Sequence, residues 1–145
     1  MRLKKMTKND LSRGQLLPRE RLAALRIPNE ILENFSERNF LVVIAPRSNI
    51  IKINVFPTDS KSIVKVLIKL REFSPYIVKK IASIIRRLSL PNLFTSGMCV
   101  EENRCIYEAY IDKSKLDVSL DDLRASFEEI GDIQAVEITE LNLEL

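Results

Sequence analysis

Residues Ile63 to Arg71 read IVKVLIKLR, in which Val64, Val66, Ile68 and Leu70 alternate with Lys65, Leu67, Lys69 and Arg71. Period two with β-branched side chains predicts a strand. Directly downstream, Ser74 and Pro75 supply an N-cap and a proline at the first helical position. Ile77, Ile81, Ile84, Ile85 and Leu88 then recur at helical spacing, with Lys79, Lys80, Arg86 and Arg87 on the wet side. Pro91 marks the exit. Two strand-like runs follow, Leu93 to Val100 and Arg104 to Ile111, and the polar turn Glu101-Glu102-Asn103 joins them as a hairpin. Ser119 with Asp122 forms a capping-box pattern, and Leu120, Leu123, Phe127 and Ile130 make a second helical stripe that stops at Gly131. Ile133 to Leu141 alternates as a last strand. The order β, α, β, β, α, β predicts a split βαβ arrangement of four antiparallel strands, helices on one face, first and third strands in the middle.

Upstream, Phe40 to Ile44 and Ile50 to Phe56 are expected as two more strands joined through Pro46 to Asn49. Pro18 to Leu25 is a short helix candidate with Gly14 in a turn before it, and Ile31, Leu32 and Phe35 suit another helical turn within residues 28 to 39. Thr58 to Ser62 is the expected seam. Charge changes there too: residues 1 to 58 hold 11 Lys and Arg against 5 Asp and Glu, whereas residues 59 to 145 hold 12 against 15. The basic excess is concentrated in Arg2, Lys4, Lys5, Lys8, Arg13, Arg19, Arg21 and Arg26, which suits an anionic partner or a solvated surface. The expected class is α+β, with a small β-rich N-terminal domain (1–58) and a ferredoxin-like βαββαβ C-terminal domain (62–145).

At 145 residues the chain fits one ordinary domain or two small ones. It has no His, the commonest general base and transition-metal ligand, and only two Cys, so a zinc site and a His-based catalyst are not expected. Three glycines build no phosphate-binding loop, and no cofactor, metal site or catalytic residue is expected. Neither a run of roughly 20 apolar residues nor a signal-like segment is present, which predicts no membrane association and a cytoplasmic location.

Residues 62–145 resemble the ACT domain, a regulatory module that commonly binds amino acids. The likeness runs through VKVLIKLREFSPYIVKKIASIIRRLSLPNLFTSG, with the mid-helix pair Ile81-Ala82, and through IYEAYID. It implies a site for an amino acid or another small carboxylate at Ser74, Pro75, Tyr76 and Ile77, together with Asn92, Thr95 and Ser96 of the second strand. The amides of the first helical turn favour a carboxylate. The competing reading is that Ser74 merely caps the helix and Tyr76 packs over the sheet. Residues 1–58 more faintly resemble the AbrB/SpoVT swapped-hairpin DNA-binding domains, through Arg13-Gly14-Gln15-Leu16-Leu17-Pro18-Arg19-Glu20-Arg21 to Leu25 and Ile27, with Arg2 to Met6 as first strand. That likeness implies Arg13, Arg19, Arg21 and Arg26 on DNA phosphates. An RNA-recognition module shares the C-terminal element order, but Arg104 to Tyr110 lacks its glycine. Tyr107 and Tyr110 also point to opposite sheet faces, so core packing or a dimer contact is expected of both.

A three-residue hairpin turn makes Cys99 and Cys105 cross-strand neighbours. A disulfide is conceivable, and the default expectation is two small buried apolar residues. Glu101-Glu102, Asp121-Asp122 and Glu128-Glu129 read as solvated surface. Phe94, Met98, Ile106 and Tyr110 share the helix-free face of the sheet with Ser96, Glu108 and Arg104, and such a face needs a cover, either a second copy or the chain's own first hairpin. The sequence thus predicts a non-catalytic, homodimeric transcription regulator with a DNA-binding N-terminal region and a sensing or dimerising C-terminal module. The alternative is a regulatory subunit that binds a partner enzyme or an amino acid without touching nucleic acid.

Overall fold

The computed structural model describes residues 10–145, and the strand expected at Arg2 to Met6 lies outside them, as do Lys4, Lys5 and Lys8. The chain is α+β with two antiparallel sheets. Strands β1 (Arg13–Pro18), β2 (Asn39–Pro46) and β3 (Ile51–Thr58) form the first sheet in the order β1-β2-β3. Strands β4 (Ser62–Leu70), β5 (Asn92–Glu101), β6 (Arg104–Asp112) and β7 (Ile133–Asn142) form the second in the order β5-β6-β4-β7. The helices are α1 (Asn29–Leu32), α2 (Pro75–Arg87) and α3 (Leu120–Glu128), with a 3₁₀ segment at Arg19–Leu25.

Strand alternation sorts the core into layers. Val64, Val66, Ile68 and Leu70 turn one face of β4 towards Ile77, Ile81 and Ile84 of α2 and Leu123 and Phe127 of α3. On the other face, Ile63 and Tyr110 meet Leu16, Leu41 and Val43 of the first sheet, and Leu67 and Ile106 meet Leu11. The first sheet's outer face holds Leu17, Phe40 and Val42, which pack under Leu22, Leu25 and Leu32. The molecule is therefore a stack: α2 and α3, the four-stranded sheet, the three-stranded sheet, then the 3₁₀ segment with α1. The chain's own first hairpin covers the helix-free face.

Two local expectations are corrected. Gly14 lies inside β1 rather than in a turn, because a Cβ there would fall 2.5 Å from Tyr110 Cε2 and 2.9 Å from Leu141 Cδ1. Only a glycine lets β1 approach that ring so closely. Pro18 ends β1, so the helix candidate is a 3₁₀ segment beginning at Arg19 and closing on Arg26, whose φ of 55° is left-handed. The C-terminal tail ties the sheets together at their rim: Leu143 bridges to Leu16 in parallel, and Glu144 N donates to Leu16 O at 2.9 Å.

Candidate functional site

Between the sheets lies a buried polar cluster. In register across β4 and β6, Lys65 stands opposite Tyr110 and Leu67 opposite Glu108. Glu108 is fully buried. Its carboxylate accepts from Leu11 N (2.8 Å) and Ser12 Oγ (2.5 Å) and lies 3.2 Å from Lys65 Nζ. Lys65 Nζ also donates to Asp10 Oδ2 (3.0 Å) and Ser12 O (2.8 Å), and Ser12 Oγ lies 2.8 Å from the Tyr110 hydroxyl. Burial acts to lower the Lys65 pKa, but Tyr110, Glu108 and Asp10 outweigh it and leave the ammonium above its ordinary value. Burial pushes the Tyr110 hydroxyl up as well. Every member has partners, so the cluster acts as a polar lock holding Asp10 to Ser12 on the second sheet. Arg47 adds a clasp, donating to Leu11 O (3.0 Å), Pro46 O (2.8 Å) and Ser96 Oγ (3.2 Å).

The four N-terminal arginines part company. Arg19 is half-buried, with its guanidinium donating to the carbonyls of Glu37, Leu32 and Phe35 and its Cζ 5.3 Å over the Phe40 ring. Those bonds hold Arg19 to carbonyls at the end of α1 and in the segment after it, so its donors are already committed. Arg13, Arg21 and Arg26 are exposed. Arg13 alternates onto the outer face of β1, in register with Ile44 and through it with Ile53; Arg21 and Arg26 stand on the 3₁₀ segment beyond that face.

The seven residues expected around a small carboxylate do not converge within one chain. Ser74 Oγ accepts from Ile77 N at 3.2 Å and so caps α2. Tyr76 does not pack over the sheet: it is 56% exposed, and Lys80 Nζ lies 5.4 Å over its ring. Pro75 is exposed and Ile77 is core. β4 ends at Leu70 in register with Cys105, whereas Asn92 is in register with Ile111 at the far end of β6, a displacement of six residues or about 20 Å. Thr95 and Ser96 alternate to opposite faces, and Ser96 is held by Arg47. Asn92 Oδ1 is buried without a partner.

Cys99 and Cys105 are joined as a disulfide across β5 and β6, with Cys105 buried and Cys99 exposed. The expected pair of separate, buried apolar residues is thereby corrected; direct cross-strand register brings the sulfurs together. The tyrosines divide as alternation requires, Tyr110 between the sheets and Tyr107 against the helices, where burial raises its pKa to about 12.

The polar lock is what reading the sequence missed, and its signal was present: Lys65 and Glu108 are opposite charges near the middle of the two central strands, on the face that also carries Tyr110. Among the described residues no group of three or more Cys, Asp and Glu is arranged to hold a metal, and no helix is long and apolar enough to cross a membrane. Comparison with protein-family models and with curated proteins gives no match.

Proposed function

We propose that the chain is a non-catalytic, homodimeric transcription regulator. Its N-terminal region would contact DNA through Arg13, Arg21 and Arg26. Its C-terminal unit, ferredoxin-like in strand order and ACT-like in pattern, would sense an amino acid or another small carboxylate or fix the dimer. The observation that carries this reading is the fastening of an arginine-bearing outer layer, through the Lys65–Glu108 lock, to β4, the strand that also leads into the Ser74 loop. A ligand at that loop and DNA at the outer layer would then bias the same strand, the minimum a coupled regulator needs. Arg19 is left out of the contact set because its donors are spent on carbonyls.

Gel-shift titration of a duplex at two salt concentrations tests the DNA half. Binding that weakens steeply with salt, and is lost in Arg21→Glu/Arg26→Glu with an unchanged melting temperature, is the expected result. Absence of any shift at low salt overturns it. Calorimetric titration with an amino-acid panel tests the sensing half; silence throughout leaves the module as a dimerisation device.

The second reading, an interaction subunit that never touches nucleic acid, draws on β3. That strand is a sheet edge, and Ile50, Ile51 and Ile53 are each more than half exposed there. An uncovered apolar edge suits a protein partner. Loss of partner binding in Ile51→Lys/Ile53→Lys, with no duplex binding by the parent chain, would favour it.

A further inference from the structure

The layered order of the molecule puts a second basic surface on the side away from the N-terminal arginines. Helix α2 reads PYIVKKIASIIRR and contains no acidic residue. Its apolar stripe, Ile77, Ile81 and Ile84, is buried in the core, and Tyr76, Lys79, Lys80, Ser83 and Arg86 line an open groove of about 560 Å³ on the opposite stripe. Arg87 is paired with Glu129 at 3.6 Å. Lys79, Lys80 and Arg86 have no carboxylate partner among the described residues.

We infer that the outer face of α2 is a second contact surface for a nucleic-acid phosphate backbone, so that one chain holds two duplex segments on opposite sides. The inference extends the DNA reading above and rests on it for the first segment. Lys79 and Arg86 lie seven residues apart, about 10 Å along the helix, and that length of duplex carries about six phosphate charges. Ser83 lies between Lys80 and Arg86 along the helix and Tyr76 one turn before Lys79, and Lys, Arg, Ser and Tyr are the side chains that bond phosphate oxygens without reading bases. Lys80 is already ordered over the Tyr76 ring.

Other anionic partners fit less well. An amphipathic helix lying on a lipid surface inserts its apolar face, but that of α2 is consumed by the core. A protein interface needs an apolar centre, and the groove offers none besides the rim of the Tyr76 ring and Ala82. On the far side of the stack, Arg13, Arg21 and Arg26 stand beyond the outer face of the three-stranded sheet, with both sheets between them and α2.

A capture experiment with the full chain tests this. One random-sequence 30-base-pair duplex is fixed on beads, and a second, fluorescent duplex is offered in solution. Wild type is expected to capture the second duplex. Lys79→Glu/Arg86→Glu should still bind the fixed duplex, capture the second at least tenfold less, and show a salt slope smaller by about 2, near 0.9 per lost contact. Lys79→Gln/Arg86→Gln, a milder change at the same exposed positions, should move both readouts the same way, and circular dichroism checks the fold of each variant. Undiminished capture by both helix variants overturns the inference alone, since bridging would then run through two N-terminal surfaces of a dimer. Duplex binding that survives every helix variant but vanishes in Arg21→Glu/Arg26→Glu, with no capture by wild type, also overturns it and leaves the DNA reading standing. No duplex binding at all overturns both. Anionic vesicles or polyglutamate that bind the α2 face as tightly as duplex, at matched charge, would assign it to a lipid or an acidic protein instead and overturn it.

Discussion

Glu108 is the residue with most at stake, since it carries a charge in the centre of the stack and has no water to fall back on. Removing one partner of a buried pair costs about 3 to 5 kcal/mol, because the remaining charge keeps its desolvation penalty. Glu108→Gln is therefore expected to lose about 3 kcal/mol in urea denaturation, and adding Lys65→Met should recover part of the loss by removing the stranded ammonium. Further loss in the double variant would show that Lys65 is held chiefly by Asp10 and Ser12. This cluster, together with Tyr107 on the opposite face of β6, sets an alkaline limit. Lys65, Tyr107 and Tyr110 all have folded pKa values above their ordinary ones, so the stability they contribute is complete below about pH 10 and is lost as pH rises through the folded values, about 12 for Tyr107. Melting temperature should be insensitive to these groups from pH 7 to 9 and fall above pH 10, and Tyr107→Phe should flatten part of that fall. Arg19 belongs to this scale as well. Arg19→Ala removes the side-chain donor from the carbonyls of Phe35 and Glu37, Leu32 O keeping Phe35 N, and should cost about 2 kcal/mol, whereas Arg21→Ala, at an exposed site, should stay within about 0.5 kcal/mol. Equal losses would return Arg19 to the surface set.

At the scale of elements, β1 depends on one missing methyl group. Gly14→Ala drives a Cβ into the Tyr110 ring and the Leu141 side chain, both packed between the sheets, and is expected to cost about 1 to 3 kcal/mol by overpacking. Pairing it with Tyr110→Leu, which vacates the ring, should restore part of the loss in the same denaturation assay. The C-terminal elements were legible because each carried its own signal. The alternation of β4, the Ser74-Pro75 start of α2, the turn at 101 to 103 and the Ser119 cap are local patterns, and the strands fall within a residue or so of the expected bounds. The N-terminal elements were harder. RGQLLP carries only two strong apolar residues, and it is extended because β2 and the Tyr110 ring hold it, a tertiary cause that no window of sequence contains. For the site the balance reverses. The cap at Ser74 is a local pattern, yet the separation of Asn92 from it depends on sheet register. The same holds for Arg19, whose carbonyl partners lie 13 to 18 residues downstream, beyond the reach of spacing rules.

Across the whole molecule, the decisive fact is that the seam at Thr58 to Ser62 divides the sequence but not the core. Tyr110 and Ile63 of the second sheet share a cluster with Leu16, Leu41 and Val43 of the first. Glu108 and Lys65 bond the segment from Asp10 to Ser12, Arg47 reaches across to Ser96, and the tail at Leu143 and Glu144 returns to β1. Undocking the first sheet would expose those apolar faces to water, so neither half has a low-cost state of its own. Cooperativity should therefore span the seam. We expect one calorimetric transition whose enthalpy matches the van't Hoff value, with near-ultraviolet dichroism, to which Tyr110 contributes, coincident with far-ultraviolet dichroism from both sheets. Arg47→Ala, which removes the clasp without touching either sheet's own ladder, should lower the single melting temperature rather than split it. An early near-ultraviolet loss that precedes the far-ultraviolet change would mean that the sheets part before they melt. The coupling of an N-terminal basic surface to the Ser74 loop would then have to run through a hinge instead of a shared core.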